Sequence, residues 1–245
     1  MQIQISEKIE SFFDYFRRLL NGVSSTKFEF SPFVCQSILL CSMLDTLSKC
    51  VYDYLPNNVR FICFVDDFTG WKCKDRISLI QLFYFMQKEN HLKYNETKAF
   101  LNDRFSGLTP DVIYKASRDL LLSDIPHPKV IEEEIRQFTY SNLLYKFRNS
   151  VVHEFKTLGD GMDFGEISEA YYHSLSHLDV DDNNTIIEKI TWELVFPTKY
   201  LATLVSQSID NLQAYCIANK INPYEHYYFE NTWLSSKEVK KNAKQ

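Results

Sequence analysis

The chain has 245 residues, of which 45% are hydrophobic, so it is long enough to bury one sizeable core, with or without an appendage. Its formal net charge of −5 and sequence pI of about 5.7 exclude an overall electrostatic attraction for nucleic acid. Any nucleic acid would have to bind at a local patch. We predict a single compact domain over residues 1–234 and, because the last residues are polar and rich in lysine, a disordered tail over residues 235–245.

The cysteines and the hydropathy pattern predict a soluble protein in a reducing compartment. Six cysteines are scattered without paired spacing, and three of them, Cys35, Cys41 and Cys50, lie in one apolar run. Such thiols are typical of a reduced core rather than of disulfides or a zinc site. No apolar run approaches the roughly eighteen residues of a membrane span, and no signal-peptide pattern opens the chain. We therefore expect a cytoplasmic protein that does not enter a membrane.

The first half of the chain predicts helices. Apolar residues recur at helical spacing over residues 6–20, and Asn21-Gly22 is expected to end this helix. Ser31-Pro32 is typical of an N-cap and a first-turn proline, and the helix that follows runs to about Leu55. Since this second helix is apolar on nearly every side, we place it at the centre of the core. Further helices are predicted over residues 57–70, 77–89, 94–105 and 110–122.

The second half predicts one long helix, a β-hairpin and a last helix. The long helix begins after Pro128, with a kink allowed at the polar residues 139–142, and is expected to end at residues 158–161. Two strand-like runs flank a polar, turn-rich stretch and predict a hairpin over residues 170–196. A last amphipathic helix follows over residues 197–220. The predicted fold is mainly α: a helical bundle with a small appended β-hairpin.

Two groups of polar residues have both a functional and a structural interpretation. Lys72, Lys74 and Arg76 form a small basic cluster that could contact phosphate, but a solvated connection between helices explains it better. His173 and His177 share one face of a predicted strand and suggest a metal site. Because no third ligand stands at a suitable spacing, we interpret them as surface residues and expect no metal.

Arg148 is the residue whose position most needs an explanation. On an ideal helix, five apolar residues fall within about 60° of Arg148, which places this charge in the middle of an apolar arc. These residues are Leu144, Tyr145, Val151, Val152 and Phe155. Asn149 and His153, four residues apart, share a stripe at roughly 100–140°, on the flank of the arc.

A cation that faces apolar neighbours has to be paired or used, because leaving it buried and alone costs several kcal/mol. Arg148 either extends its charge to solvent, forms a structural ion pair, or belongs to a functional site. Asp45, inside the apolar second helix, is the best partner that the sequence offers. Asp45 itself is either a structural partner or a polar member of a site, and Ser42, one turn earlier, is a weaker candidate.

These residues carry a resemblance to a known family. Arg148 with Asn149 directly after it, apolar residues before it, and His153 after four intervening residues on a predicted helix resemble the signature of the HEPN superfamily. The resemblance is short and does not identify a subfamily. It implies a small, helical, commonly homodimeric protein. Many members are ribonucleases that need neither metal nor cofactor and act in toxin–antitoxin, phage-defence or RNA-processing systems, whereas others bind without catalysis.

The resemblance also implies roles for individual residues. His153 would take a proton from a ribose 2′-hydroxyl or give one to the leaving 5′-oxygen, and Arg148 would offset the charge that grows on the phosphorane. Asn149 would orient His153 or hold the phosphate, and Asp45 resembles the acid that relatives carry on an earlier helix. One copy supplies one imidazole, which makes a symmetric dimer mechanistically useful.

Three hypotheses follow from the sequence. The first is a metal-independent endoribonuclease with RNA as its substrate and an antitoxin or another protein as a further partner. The second is a helical dimer that binds a nucleotide, RNA or protein through the same motif without cutting. In the third, Arg148 and Asp45 form only a structural ion pair.

Overall fold

The computed structural model describes residues 5–106, 109, 112–180 and 184–226, and most of these residues are helical. This confirms the mainly α class. The predicted tail over residues 235–245 lies outside the described residues. The α-helices are α1 (Ile5–Ser25), α2 (Pro32–Tyr52), α3 (Asn57–Phe68), α4 (Leu79–Lys88), α5 (Asn95–Phe105), α6 (Glu132–Arg136), α7 (Tyr140–Asn149) and α8 (Thr198–Asn219).

Helix α2 lies at the centre of the main core, as predicted from its apolar surface. It packs against α1, α3, α7 and α8, and buries residues such as Leu40, Leu44 and Leu47. By length and composition alone this helix could also cross a membrane, a test that the core helix of a soluble protein passes as well. Ser31 precedes the helix as predicted, but its backbone is left-handed and its side chain forms no capping hydrogen bond.

Helix α1 runs beyond its predicted end. It continues through Asn21-Gly22 to Ser25, because Val23 is buried in the core. No close packing requires a glycine at position 22, since nothing lies within 4 Å of a Cβ built there. Burial of Val23 therefore outweighs the weak stop signal of Gly22. Helices α1 and α8 pack side by side, and Arg17 joins them by an ion pair of 2.9 Å to Asp210.

The helix predicted over residues 110–122 is wrong. Residues 110 and 111 lie outside the described part, and the rest forms two short strands, β2 (Tyr114–Lys115) and β3 (Leu120–Leu121), around a 3₁₀ turn. Strand β3 pairs with β1 (Arg76–Ile77), and β2 pairs with the hairpin. These pairings satisfy backbone groups that a helix would have satisfied internally.

The predicted hairpin is confirmed. Its strands are β4 (Tyr171–Val180) and β5 (Ile186–Val195), which pair antiparallel with Tyr171 opposite Val195 and Val180 opposite Ile186. Among the described residues, β2 adds a third strand, in the order β2-β4-β5. The local pattern could not predict this strand because its partner lies more than fifty residues away.

The long helix predicted after Pro128 is broken into two. A 3₁₀ turn (Lys129–Ile131) leads into α6, which ends at Arg136, and α7 starts at Tyr140. Between them, the carbonyl of Phe138 accepts a hydrogen bond from the backbone of Ser78 at 2.8 Å. Because this carbonyl is used by another segment, it cannot continue the helical ladder, and the break falls just before the polar stretch where we allowed a kink.

Asp119, directly before β3, is a buried acid that contacts Tyr140, the first residue of α7. It is fully buried, and its Oδ2 accepts a hydrogen bond of 2.6 Å from the hydroxyl of Tyr140. Burial raises the pKa of its carboxyl group to about 7, although the hydroxyls of Tyr140 and Tyr114 act in the opposite direction. Between its ordinary pKa and about 7, the folded protein therefore holds a proton that the unfolded chain has released.

This linkage gives a prediction for stability. The contribution of Asp119 should decrease as the pH rises from about 4 to 7, by at most about 4 kcal/mol at 1.36 kcal/mol per pKa unit. Other carboxyl groups, such as that of Glu134, have a lowered pKa and act in the opposite sense. We therefore compare unfolding of the wild type and of Asp119→Asn across this range. The wild type should lose stability relative to the variant, and parallel pH profiles would contradict the prediction.

Candidate functional site

Arg148 lies near the C-terminal end of α7, on the side that faces the core. Leu144 and Val151 are fully buried beside it, and the side chain of Arg148 is only 11% exposed. Tyr145 and Val152 pack against the core at its edge. Phe155, the fifth residue of the predicted apolar arc, is instead 72% exposed and has a left-handed backbone with φ of 56°. The arc prediction is therefore confirmed for four residues and wrong for Phe155.

Asp45 on α2 is the partner of Arg148, as predicted, but it also has a second partner. Its Oδ2 accepts from Nη2 of Arg148 at 2.9 Å, and its Oδ1 from Nη2 of Arg60 on α3 at 3.3 Å. Nε of Arg60 donates to Oγ of Ser48 at 3.0 Å. One half-buried carboxylate thus bridges two guanidinium groups. Arg60 was not predicted as a site residue, although it stands between Val59 and Phe61, in the same kind of apolar setting as Arg148.

The charges of this cluster do not cancel. Asp45 carries one negative charge and the two arginines carry two positive charges, so one positive charge remains uncompensated. Side-chain exposure of 7% for Arg60, 11% for Arg148 and 15% for Asp45 keeps water from screening the cluster fully. A chain with a net negative charge therefore has a local patch that can attract an anion.

His153 and Asn149 both contact the same nitrogen of Arg148. Nη1 donates to Oδ1 of Asn149 at 2.9 Å and lies 2.9 Å from Nε2 of His153. A guanidinium has only donors, so Nε2 must be the acceptor in the second contact, and the ring proton of a neutral His153 is then on Nδ1. His153 is exposed. The site therefore presents an unprotonated imidazole nitrogen, next to a cation, at the protein surface.

A π-turn brings His153 to Arg148. Helix α7 continues into a π-helical turn over Ser150–Glu154, which ends at Phe155 rather than at residues 158–161. On an ideal α-helix His153 would point about 140° away from Arg148. A π-turn closes i→i+5 hydrogen bonds, so residues five apart approach one another. This explains why His153 contacts Arg148 directly instead of sharing only a flank with Asn149.

In the described part of the chain, the groups next to Arg148 supply no nucleophile but leave one hydrogen-bond donor free. Burial raises the pKa of the Cys41 thiol to about 12, while Arg148 opposes this shift, so this thiol remains neutral and is not a nucleophile. Nε of Arg148 is buried without a hydrogen-bond partner among the described residues. An unpaired buried donor is costly, and this nitrogen is free to bind a further acceptor.

Other candidates from the sequence lie outside this site. Ser42 lines an apolar groove of about 590 Å³ between α1 and α2 instead of facing Arg148. In the predicted basic cluster, Lys74 and Arg76 bind backbone carbonyls of Asp66 and Asp119, which supports the interpretation as a connection. In the hairpin, His173 is buried and not at the surface as predicted: its Nε2 accepts from the backbone N–H of Met162 at 2.8 Å, and its ring packs against Phe164.

Neither a metal-binding group nor a similar known protein indicates what this site does. Within residues 5–106, 109, 112–180 and 184–226, no group of three or more His, Cys, Asp or Glu residues could hold a metal ion. The chain matches no protein-family model, no curated protein and no solved structure. The arrangement around Arg148 is therefore interpreted on its own chemistry.

Proposed function

We propose that the protein is a metal-independent endoribonuclease of the HEPN type, with Arg148, Asn149 and His153 at its catalytic site. The observation that carries the proposal is the 2.9 Å contact between Nη1 of Arg148 and Nε2 of His153 in a cluster with one excess positive charge. An unprotonated imidazole can accept a proton, and a fixed guanidinium can stabilise a phosphorane. Phosphodiester cleavage by an internal nucleophile needs both.

The reaction would use the ribose 2′-hydroxyl as the nucleophile. A phosphate oxygen would take over the hydrogen bond of Nη1 of Arg148, which frees Nε2 of His153 to accept the 2′-hydroxyl proton. The 2′-oxygen then forms a bond to phosphorus while the bond to the 5′-oxygen breaks, and the leaving 5′-oxygen receives a proton from a second imidazole. The products are a 2′,3′-cyclic phosphate and a 5′-hydroxyl. Asn149, bonded to the same nitrogen, would hold the guanidinium in place.

The direct test is cleavage of RNA by the purified protein without metal. Cleavage should continue in EDTA, because the proton transfer and the charge stabilisation both come from side chains. The products should carry 2′,3′-cyclic phosphate ends, and a single 2′-deoxy substitution at the cleaved position should block the reaction. Activity that EDTA abolishes and Mg²⁺ restores, or 3′-hydroxyl ends, would contradict the mechanism.

We further propose a two-fold homodimer whose interface includes α7 and the π-turn, which would supply the second imidazole. Four large apolar side chains that follow the motif are more than 40% exposed. They are Phe155, Leu158, Met162 and Phe164. Exposed apolar residues that follow the motif closely in the chain support an interaction surface there.

Light scattering tests the dimer. At micromolar concentration the protein should have twice the 29.0 kDa mass of one chain. Phe155→Ser should shift it towards the monomer and reduce cleavage, whereas Leu92→Ser, at an exposed position on another element, should change neither. A wild-type protein that remains monomeric would exclude the dimer.

A second candidate function has its own supporting observation. Nε2 of His153 is already bonded to Arg148, and a site that keeps this bond would bind an anion without taking a proton. The protein would then be a binding module for a nucleotide or RNA. A 2′-deoxy oligonucleotide that binds with strong salt dependence, together with intact RNA after long incubation, would favour this function.

For either function we propose a cytoplasmic location. The endoribonuclease proposal also includes an antitoxin or another protein as a partner.

A further inference from the structure

Arg60 is the most unusual basic residue of the molecule. In the part of the chain that the structure describes, it is the only lysine or arginine in the buried class, with 6% of its surface exposed. Its Nη2 pairs with Oδ1 of Asp45 at 3.3 Å, and its Nε donates to Ser48 at 3.0 Å. The Ser48 hydroxyl in turn donates to the carbonyl of Asp45 at 2.6 Å. These bonds fix the orientation of Arg60 without any contact to the surface.

We infer that Arg60 is a positioning residue for Arg148 and His153. A lone carboxylate and a lone arginine prefer a bidentate pair, in which both oxygens accept from the same guanidinium. Arg60 occupies Oδ1 of Asp45, so Arg148 reaches only Oδ2 and uses only Nη2. Its Nη1 is left to hold Asn149 and His153.

Arg60 also sets the charge of the site. Without it, Asp45 and Arg148 would form a neutral pair, and the cation beside His153 would be compensated. With it, the excess positive charge remains close to the surface, where a phosphate can use it. The catalytic meaning of this role rests on the proposed function, but the effect of Arg60 on Nη1 of Arg148 does not.

The effect of Arg60 on Nη1 of Arg148 can be measured without RNA, from which ring nitrogen of His153 carries the proton. In the wild type, Nε2 accepts from Arg148 and Nδ1 carries the proton. Removal of Arg60 should let both oxygens of Asp45 pair with Nη2 and the unpartnered Nε of Arg148, which turns the guanidinium and draws Nη1 away from Nε2 of His153. A neutral histidine in water prefers the proton on Nε2, so the tautomer of His153 should change. A merely structural loss of packing would not move this signal while the protein stays folded.

The experiment records nitrogen NMR spectra of histidine-labelled protein at about pH 9, where imidazoles are neutral. We compare the wild type with Arg60→Met, which keeps most of the volume, and Arg60→Lys, which keeps the charge. Arg17→Met is the control, since Arg17 forms an exposed pair with Asp210. We expect the proton of His153 to move from Nδ1 to Nε2 in Arg60→Met, to stay largely on Nδ1 in Arg60→Lys, and to be unaffected in the control.

A second variant covers the case in which Arg60→Met does not fold. Ser48→Ala removes the anchor of Nε of Arg60 but no charge, and should shift the tautomer in the same direction to a smaller extent. A folded Arg60→Met or Ser48→Ala protein with the wild-type tautomer would overturn the inference.

Cleavage assays separate this inference from the proposed function. If the protein is a ribonuclease, Arg60→Met should lose about 10- to 100-fold in kcat/KM and Arg60→Lys should recover part of it. A change of tautomer in a protein that never cuts RNA would support the role of Arg60 and reject the nuclease. Full cleavage by Arg60→Met with an unchanged tautomer would reject the role of Arg60 alone.

Discussion

Asp45→Asn is expected to lower the melting temperature by about 10 °C. The substitution removes the negative charge that one buried and one largely buried guanidinium group share, and leaves Arg60 and Arg148 facing a neutral amide. Breaking a buried ion pair on one side costs about 3–5 kcal/mol, and each kcal/mol corresponds to about 2–4 °C in a domain of this size. Thermal unfolding followed by circular dichroism measures the change.

Two other variants make this result specific. Asp14→Asn breaks an exposed pair with Arg17, with 55% of the acid exposed, and should change the melting temperature very little. Arg148→Ala should destabilise less than Asp45→Asn, because Asp45 would still be paired with Arg60. If Asp45→Asn and Asp14→Asn melt at the same temperature, the bridging carboxylate does not support the fold.

The same contacts define what Asp45 does in the site. Both of its oxygens already accept hydrogen bonds from guanidinium groups, so neither is placed to exchange a proton with a substrate. Of the two roles that the sequence left open, the geometry favours a structural partner that orients Arg148. Cleavage should therefore fall in Asp45→Asn only as far as Arg148 loses its position or the protein unfolds.

The sequence predicted the ion pair between Arg148 and Asp45 because a buried cation has few possible partners. A cation in an apolar arc needs an acid, and only a carboxylate on a central helix could meet it without leaving the core. The same reasoning, applied to Arg60, would have indicated a second cation for Asp45. Arg60 was nevertheless not predicted as a partner of Asp45. The dense apolar run around it shows no clear helical periodicity, so the sequence does not indicate where its side chain points.

The remaining differences come from contacts that no local pattern contains. Strand β2 exists because Tyr114 pairs with Tyr172 across more than fifty residues, and in the break after α6 the carbonyl of Phe138 binds the backbone of the distant Ser78. The position of His153 depends on a π-turn, for which the sequence has no recognised signal. The regular helix assumed from the sequence therefore gave the wrong angle between Arg148 and His153, which the π-turn brings into contact.

His153→Ala is expected to remove most RNA cleavage and to leave the fold intact. Loss of a general acid–base group reduces rates by about 10²–10⁴-fold. His153 is exposed, and its ring hydrogen-bonds to Arg148, whose charge stays paired with Asp45. Removal of the imidazole therefore leaves no buried charge alone, and the melting temperature should change by less than about 2 °C.

Cleavage, melting and mass should be measured on the same preparations of His153→Ala. The matched control is His91→Ala, because His91 is also exposed and its contacts are local: it accepts a hydrogen bond from the backbone of Lys93 and packs against the ring of Tyr94. This control should cut RNA at the wild-type rate. Asn149→Ala should lie between the two, since it removes one of the two acceptors that orient Nη1 of Arg148. A folded His153→Ala dimer that cuts RNA as fast as the wild type would show that the imidazole transfers no proton, and the contact between Arg148 and His153 would then serve only to bind an anion.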